Sequence, residues 1–139
     1  MIRVVGAVLL KKNRIIFGKR ANTLSNFPGL FEFPGGKIEK METKKEALRR
    51  ELKEELKIDV NISDIESFNN NTSSHIDKSG TVIHLTLFII KQWTNKIIIN
   101  KNIHSELAYF TLKNLDEHKN LLIPGDAPFI PYIRTACNI

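Results

Sequence analysis

Hydrophobic runs broken by turn residues dominate the first forty positions of the chain. Residues 3–11 and 14–19 are rich in Val, Ile and Leu and flank the turn Lys12-Asn13, a pattern that predicts a β-hairpin. Residues 30–33 lie between two Pro/Gly-rich loops and predict a short strand. The N-terminal part of the chain is therefore predicted to form an antiparallel sheet.

A helical pattern follows the predicted sheet over residues 44–57. Thr43 and Glu46 have the spacing of a capping box, and the segment ALRRELKEEL after them is made of strong helix formers. One stripe of this helix is apolar, with leucines at positions 48, 52 and 56. That stripe is predicted to pack on the sheet, because residues four apart lie on the same face of a helix.

The second half of the chain alternates between further strand and helix patterns. We predict strands over residues 60–68, 81–93 and 96–99, a polar loop over 69–80, a short helix over 112–118 and a last helix after Pro124-Gly125. Hairpins mixed with two or three helices predict an α+β domain in which helices cover a mixed β-sheet. With 139 residues and no linker or repeat, one domain over residues 1–139 is expected.

The composition fits a soluble globular domain, with 42% hydrophobic and 26% charged residues. No run of apolar residues is long enough to span a bilayer and no signal-peptide pattern is present, so we expect a cytoplasmic protein without a membrane partner. A single cysteine, Cys137, excludes an internal disulfide, and a zinc site is not expected. The net charge of +6 favours polyanions in general, but without a nucleic-acid-binding motif no specific nucleic acid partner is expected.

Three carboxylates crowd one edge of the predicted helix, beside its leucine stripe. Glu51, Glu54 and Glu55 stand at i, i+3 and i+4, a spacing at which like charges repel. One explanation is a solvated helix with many salt bridges, and the other is Mg²⁺, which takes a few carboxylates together with substrate phosphates. The pair Gly35-Gly36 favours the second explanation, because a backbone without side chains lets a phosphate or metal approach closely.

The spacing of these glycines and carboxylates is similar to the Nudix box, G-x5-E-x7-R-E-U-x-E-E-x-G-U, in which U is apolar. The matching residues are Gly36, Glu42, Arg50-Glu51-Leu52-Lys53-Glu54-Glu55 and Ile58, over 23 positions. The flanking segment EFPGGKIE resembles the MutT-like subgroup of this family in particular. The helix-ending glycine of the box is Lys57 here, which predicts a strained cap or a different exit from the helix.

The resemblance implies a Nudix fold, an α/β/α sandwich around a mixed β-sheet, and hydrolysis of a nucleoside diphosphate linked to another moiety. By motif position, Glu51, Glu54, Glu55 and the carbonyl of Gly35 would bind Mg²⁺, with Mn²⁺ as a possible replacement. The metal-binding glutamates and Arg50 would together form the catalytic group.

The remaining roles also follow from the resemblance. Arg50 would orient one of two carboxylates of the box, Glu54 or Glu42, through its planar guanidinium group. Lys37 and Arg20 would contact phosphate oxygens, where cations stabilise the charge of the transferring group.

The general base has several candidates. MutT-like enzymes often place a further carboxylate ahead of their last strand, at a position that Ile103 occupies in this chain. His104 or Glu106 could replace it, or a glutamate of the box such as Glu54 could act as the base.

The resemblance also implies a residue for base recognition. Asp126 falls where MutT-like proteins place a residue that recognises the base, and it is equally placed to cap the last helix. Phe27, Phe31 and Phe129 are candidates for stacking on a base, unless they belong to the core.

The expected reaction is hydrolysis of a nucleoside triphosphate to the monophosphate and pyrophosphate. The favoured substrate is an oxidised nucleotide such as 8-oxo-dGTP, whose removal protects DNA, and CTP or a modified pyrimidine nucleotide is the alternative. Dinucleoside polyphosphates, nucleotide sugars and a catalytically inactive nucleotide-binding module also stay open, and either a monomer or a homodimer is expected.

Overall fold

A computed structural model of the protein describes residues 1–137, so positions 138 and 139 of the predicted domain lie outside the described residues. The strands are β1 (Ile2–Lys11), β2 (Arg14–Arg20), β3 (Phe31–Glu32), β4 (Gly35–Lys37), β5 (Ile65–Glu66), β6 (Thr72–Ile76), β7 (Val82–Ile90) and β8 (His104–Thr111). The α-helices are α1 (Lys44–Leu56) and α2 (Ile130–Ala136), and 3₁₀ helices span Ile62–Asp64, Leu112–Leu121 and Ala127–Phe129. Among the helices of residues 1–137, none has the length and apolarity needed to cross a membrane.

Strand β1 lies at the centre of the sheet. Along one edge it pairs in parallel with β7, and its other edge is shared by β4 and β2, which both run antiparallel to it. Beyond these, β3 and β8 pair with β2, while β5 and β6 pair with β7. The predicted α+β architecture with a mixed sheet and an N-terminal hairpin is therefore confirmed.

Helical segments cover both faces of this sheet. Helix α1 packs its leucine stripe on one face, where Leu48, Leu52 and Leu56 are fully buried. Burial of each leucine contributes about 2 kcal/mol to folding. On the other face, the 3₁₀ helix Leu112–Leu121 and α2 enclose a second apolar cluster around Phe17. The result is the three-layer arrangement that the resemblance implies.

Both ends of α1 match the signals in its sequence. At the start, the Thr43 hydroxyl accepts a hydrogen bond from the backbone N–H of Glu46, whose carboxylate accepts one from the N–H of Thr43. At the end, Lys57 adopts the left-handed conformation, with φ 63°, and its N–H donates to the carbonyl of Lys53. A lysine in this conformation is strained by roughly 1–2 kcal/mol, so the strained cap predicted at Lys57 is confirmed.

Three of the predicted elements are wrong. Residues 60–68 form a 3₁₀ turn and the two-residue β5 rather than one strand, and residues 96–100 form no regular element. The isoleucines at 97 and 99 still pack against the core, which accounts for their strand-like pattern. Residues 72–76, predicted as loop, form the edge strand β6, which buries little side-chain surface and so lacks a hydrophobic signal.

The C-terminal helices are found close to where they are predicted. The segment after Thr111 is a 3₁₀ helix that extends to Leu121, three positions beyond the predicted end. After Pro124-Gly125 the chain first makes a short 3₁₀ turn and then enters α2.

Candidate active site

Helix α1 places its three glutamates in different environments. The exposed fraction of the side chain is 7% for Glu55, 18% for Glu51 and 61% for Glu54. This order follows from the helix, because Glu55 stands on the side of the buried leucines and Glu54 on the outer side. One helix edge thus presents a buried, a half-buried and an exposed carboxylate.

Arg50 connects the carboxylates of the box. Its Nε and Nη2 donate to the two carboxylate oxygens of Glu42 at 2.7 and 2.9 Å, and Nη2 also donates to the carbonyl of Lys37. Its Nη1 donates to Glu51 at 2.9 Å and to Glu54 at 3.3 Å. Of the two predicted partners, Glu42 has the bidentate contact and Glu54 the weaker one. This contact lowers the pKa of Glu42 to about 2, helped by the backbone N–H of Glu39.

The two glycines of β4 allow close approach on both sides of the strand. A Cβ at Gly36 would overlap the carboxylate of Glu51, and one at Gly35 would overlap the backbone carbonyl of Val5 on β1. Side chains at these positions would therefore displace the carboxylate or separate the strands. Gly36 makes room for Glu51 itself, in addition to the open backbone that the sequence predicts.

A buried histidine lies behind the carboxylates. His104 has no exposed side-chain surface, and its Nε2 lies 2.8 Å from Oε2 of Glu32. Its Nδ1 lies 3.3 Å from Oε1 of Glu55. The other oxygen of Glu32 accepts a hydrogen bond from Nη1 of Arg20 at 3.0 Å. Burial, followed by the charges of Glu32 and Glu51, raises the pKa of Glu55 to about 8.

Glu32 is the site residue that sequence reasoning missed. It belongs to the segment EFPGGKIE, but its two partners come from distant strands, β2 and β8. Its side chain is only 15% exposed, and glutamates are rarely so buried unless they are paired, as Glu32 is. The unusual signal in the sequence was a carboxylate placed between two phenylalanines in a strand.

The candidates for the general base lie in different environments in the structure. Glu106 is 60% exposed, and its Oε1 lies 3.9 Å from Nζ of Lys19 rather than against a carboxylate of α1. His104 is brought to them, but its ring has no exposed surface. Ile103 places an apolar side chain in the lining of the cavity described below, and Glu54 is the exposed member of the three α1 glutamates.

A cavity of about 330 Å³ extends from the carboxylates into the protein. Its lining includes Glu32, Glu55 and Gly36 together with Phe27 and Asp126. Residues that are remote in sequence thus share one cavity with the glycine pair and the buried glutamate.

Asp126 is buried in the wall of this cavity. Its Oδ2 accepts a hydrogen bond from the backbone N–H of Phe33 at 2.9 Å, and the residue is 4% exposed. Burial raises the pKa of Asp126 to about 8, and the nearby charge of Glu32 acts in the same direction. The side chain makes no capping hydrogen bond to the 3₁₀ helix that follows it. The interpretation of Asp126 as a helix cap is therefore wrong, because the carboxyl group is bonded to strand residue Phe33 instead.

The three candidate stacking aromatics also occupy different places. Phe129 is 2% exposed within the second core cluster, and Phe31 packs against that cluster. Phe27 is 41% exposed and lines the cavity. Of the three, Phe27 alone combines exposure with the cavity.

The two predicted phosphate contacts differ in position. Arg20 lines the cavity and is held by Glu32 and by the backbone carbonyl of Asn26. Lys37 is exposed at the end of β4, where its carbonyl accepts a hydrogen bond from Arg50.

The donor set fits a hard divalent cation whose coordination is completed by substrate. Within residues 1–137, no three His, Cys, Asp or Glu side chains form a ready-made metal cluster. Glu55, however, is a buried carboxylate whose pKa is raised in part by two further carboxylates, so the pocket has an excess of negative oxygen donors. Mg²⁺ takes one or two carboxylates together with waters and phosphates and does not need a closed protein cage.

Comparison with known proteins agrees with this geometry. The NUDIX domain family matches residues 1–133. The chain is 33% identical over 100 residues to 8-oxo-dGTP diphosphatase of Proteus vulgaris. This alignment covers 72% of this chain and 85% of that protein. It is 29% identical over 130 residues to CTP pyrophosphohydrolase of Escherichia coli (strain K12). This second alignment covers 94% of this chain and 89% of that protein.

The fold is also found in a solved structure. The crystal structure of the MutT NUDIX hydrolase from Burkholderia pseudomallei superposes with a TM-score of 0.81 and 22% sequence identity, over 95% of this chain and 97% of that one. The α/β/α sandwich, the box residues gathered along α1 and the family match over nearly the whole chain lead to one assignment. The chain belongs to the NUDIX domain family and is a MutT-like Nudix hydrolase.

Proposed function

We propose that this Nudix hydrolase converts nucleoside triphosphates to the monophosphate and pyrophosphate with Mg²⁺, and that it removes oxidised nucleotides such as 8-oxo-dGTP. The observation that carries the proposal is the shared cavity of about 330 Å³, which has the buried Glu55 and the buried Asp126 in its lining. A polyphosphate at Glu55 and a base at Asp126 would both lie in this cavity. The name of the Proteus vulgaris relative supports this choice of substrate.

In this proposal the carboxylates of α1 and the carbonyl of Gly35 hold the cation. Glu51, Glu54 and Glu55 supply the hard oxygen ligands that Mg²⁺ prefers, and Mn²⁺ accepts the same ligands. A bound divalent cation would lower the pKa of a water molecule and offset negative charge on the leaving pyrophosphate. Arg50 keeps the ligands in place, since it bonds Glu51 and Glu54 through one nitrogen.

Glu54 is the residue that we propose as general base, acting through the carboxylate oxygen that does not hold the cation. It is the most exposed of the three α1 carboxylates, so a water molecule can reach it, and its contact with Arg50 limits its orientations. As base it would take the proton of the attacking water while the bond between phosphorus and the leaving oxygen breaks.

The remaining predicted residues would bind the substrate. Arg20 lines the cavity and would contact phosphate oxygens there, and Lys37 would do so from the rim. Phe27 would stack on the base, because it is exposed and lines the same cavity. Asp126 would bond to polar atoms of the base edge.

A cytosine nucleotide such as CTP is the second candidate substrate. Its support is the raised pKa of Asp126, since a neutral carboxyl group offers one donor and one acceptor. This pair matches the N3 acceptor and the N4 amino donor of cytosine. The E. coli relative named CTP pyrophosphohydrolase also covers 94% of this chain.

The test is pyrophosphate release across a panel of nucleotides with Mg²⁺, with Mn²⁺ and with EDTA. The panel contains 8-oxo-dGTP, dGTP, CTP, dCTP, a dinucleoside tetraphosphate and a nucleotide sugar. We expect the highest kcat/KM for 8-oxo-dGTP or CTP and no turnover in EDTA. Turnover restricted to the dinucleoside polyphosphate or the sugar would show that the substrate class is wrong. No turnover of any compound would favour a nucleotide-binding module.

A further inference from the structure

A β-bulge turns His104 toward the interior of the protein. Lys19 of β2 pairs with Glu106 of β8, but the next residue, Arg20, pairs with His104, so the ladder skips Ser105. Glu106 and Ser105 are exposed, whereas His104 is fully buried. Bulges often redirect a side chain beside an active site. Here the redirected side chain is the imidazole behind the cavity.

A glycine on the neighbouring strand provides the space for this ring. A Cβ built at Gly18 of β2 would overlap the Cδ2, Cγ and Nε2 atoms of His104. The ring therefore lies directly against the backbone of β2, and any side chain at position 18 would force it to move. The bulge and the glycine, which belong to different strands, together fix one imidazole in one place.

The imidazole connects two carboxylates from different layers of the fold. Nε2 is hydrogen-bonded to Glu32 of β3, and Nδ1 faces Glu55 of α1 at 3.3 Å. Within residues 1–137, Nδ1 is the buried side-chain nitrogen or oxygen that lacks a hydrogen-bond partner. Such atoms are rare in folded proteins. An orphaned nitrogen facing a predicted metal ligand indicates a contact that is completed when the site is loaded.

We propose that His104 is a positioning residue that holds the carboxylates of Glu32 and Glu55 in the arrangement needed to bind the divalent cation. The inference rests on the proposed function of the α1 carboxylates as metal ligands. His104 itself has no exposed surface and does not line the cavity, so it would act through its two neighbours. It would be the outer-shell support of Glu55, while Arg50 performs that task for Glu51 and Glu54.

The test compares His104→Phe, which keeps a ring but removes both nitrogens, with His104→Gln, which retains a hydrogen-bonding side chain. His84→Phe is the matched control, because His84 bonds to Ser74 on β6 and does not line the cavity. Mn²⁺ binding to the nucleotide-free protein is measured by electron paramagnetic resonance, together with kcat, KM and the melting temperature.

We expect His104→Phe to weaken Mn²⁺ binding and to lower kcat by about 10–100-fold each, the usual effect of losing an outer-shell partner. KM for the nucleotide changes little, since His104 does not line the cavity. His104→Gln restores part of both losses, and His84→Phe behaves like the parent.

Parent-like Mn²⁺ affinity in a folded His104→Phe protein would overturn the inference, whatever the melting temperature. If His104→Phe fails to fold, His104→Gln and Gly18→Ala decide, since the latter displaces the ring without removing it. Weaker Mn²⁺ binding in both supports the inference, and unchanged binding in both overturns it. A parent protein that binds Mn²⁺ but hydrolyses no nucleotide would contradict the proposed function alone, because the inference is judged on metal affinity.

Discussion

The two groups of proposed site residues, called here the carboxylate end and the base end, are built by different means. The carboxylate end is formed largely by residues 35–55, in which one strand and one helix are neighbours in sequence. The base end combines Phe27, His75 and Asp126, which come from three loops or edge strands spread over the chain. The comparison teaches that the proposed catalytic group is encoded locally, whereas the proposed base-binding group is assembled by the tertiary fold.

The two ends also differ in the partners of their carboxylates. At the carboxylate end, Arg50 bonds Glu42, Glu51 and Glu54, so one cation serves three carboxylates. At the base end, Asp126 is buried and bonds to a backbone N–H, without a direct cationic partner within the described part of the chain. The contact with Arg50 lowers the pKa of Glu42 to about 2, whereas burial raises the pKa of Asp126 to about 8.

The largest expected effect is at the carboxylate end. Glu54→Gln should lower kcat by about 10²–10⁴-fold, the usual contribution of a general base, because an amide cannot take the proton of the attacking water. Pyrophosphate release with saturating Mg²⁺ measures the loss. Glu106→Gln is the control, since Glu106 is exposed and paired with Lys19 outside the cleft. An unchanged kcat in Glu54→Gln would show that the base is another residue.

Two glycines, one at each end, allow a matched comparison. Gly36→Ala forces the Glu51 carboxylate to move, so kcat should fall about 10–100-fold for every nucleotide, as when a metal ligand is misplaced. Gly125→Ala brings a methyl group within 2.9 Å of the exposed His75 ring, which can move aside. The Gly125→Ala substitution should change KM for nucleotides with some bases and leave kcat unchanged. Steady-state kinetics with a purine and a pyrimidine nucleotide distinguish the two, and loss of base selectivity in Gly36→Ala would contradict the separation of the ends.

Substrate preference should depend on pH through Asp126. Its pKa is raised to about 8, so the neutral form predominates below that pH and the carboxylate above it. The neutral form suits cytosine, whereas the carboxylate accepts two hydrogen bonds and suits the N1–H and N2 amino group of guanine. The ratio of kcat/KM for guanine over cytosine nucleotides should therefore rise about 10-fold between pH 7 and 9, within the range of one good base contact.

Asp126→Asn is the control for this pH dependence. Its amide has one donor and one acceptor at every pH, so the ratio should stay flat and favour cytosine nucleotides. A ratio that still rises with pH in Asp126→Asn would assign the effect to another group.

The smallest expected effect lies outside both ends, at the end of α1. Lys57→Gly should raise the free energy of unfolding by about 1 kcal/mol, because glycine adopts the left-handed conformation without strain. The nucleotide selectivity and kcat should not change. Arg49→Gly, at an exposed position inside the same helix, should instead lower stability by about 1 kcal/mol. Chemical denaturation measures the free energy of unfolding of both variants. A change of the same sign in Lys57→Gly and Arg49→Gly would contradict the cap explanation.

The sequence predicts what depends on near neighbours. The capping box at Thr43, the leucine stripe of α1 and the carboxylates beside it all follow from spacings of three and four residues. The family resemblance then supplies chemistry for those same residues. For this reason the cap at Thr43, the buried leucine stripe and the strain at Lys57 are confirmed by the structure.

The sequence fails where partners are distant. Glu32 was not assigned a role, because His104 and Arg20 reach it only through strand pairing. The predicted helix-capping role of Asp126 is wrong, because its side chain bonds instead to the N–H of Phe33, which is 93 positions away in sequence. Strand β6 was missed because its pairing with β7 uses backbone bonds and polar side chains on an exposed edge.

The parallel pairing of β1 with β7 has a consequence for how the protein folds. The ladder joins residues about 80 positions apart, from Ile2 with Ile83 to Leu9 with Ile90. Long-range pairings of this kind pay a large loop-closure entropy before they are stabilised, which slows folding. Strand β4, with its glycine pair, docks on the opposite edge of β1, and the cavity draws its walls from both sides of this strand. A refolding chain should therefore gain α1 early and acquire tight nucleotide binding only when the β1–β7 ladder closes.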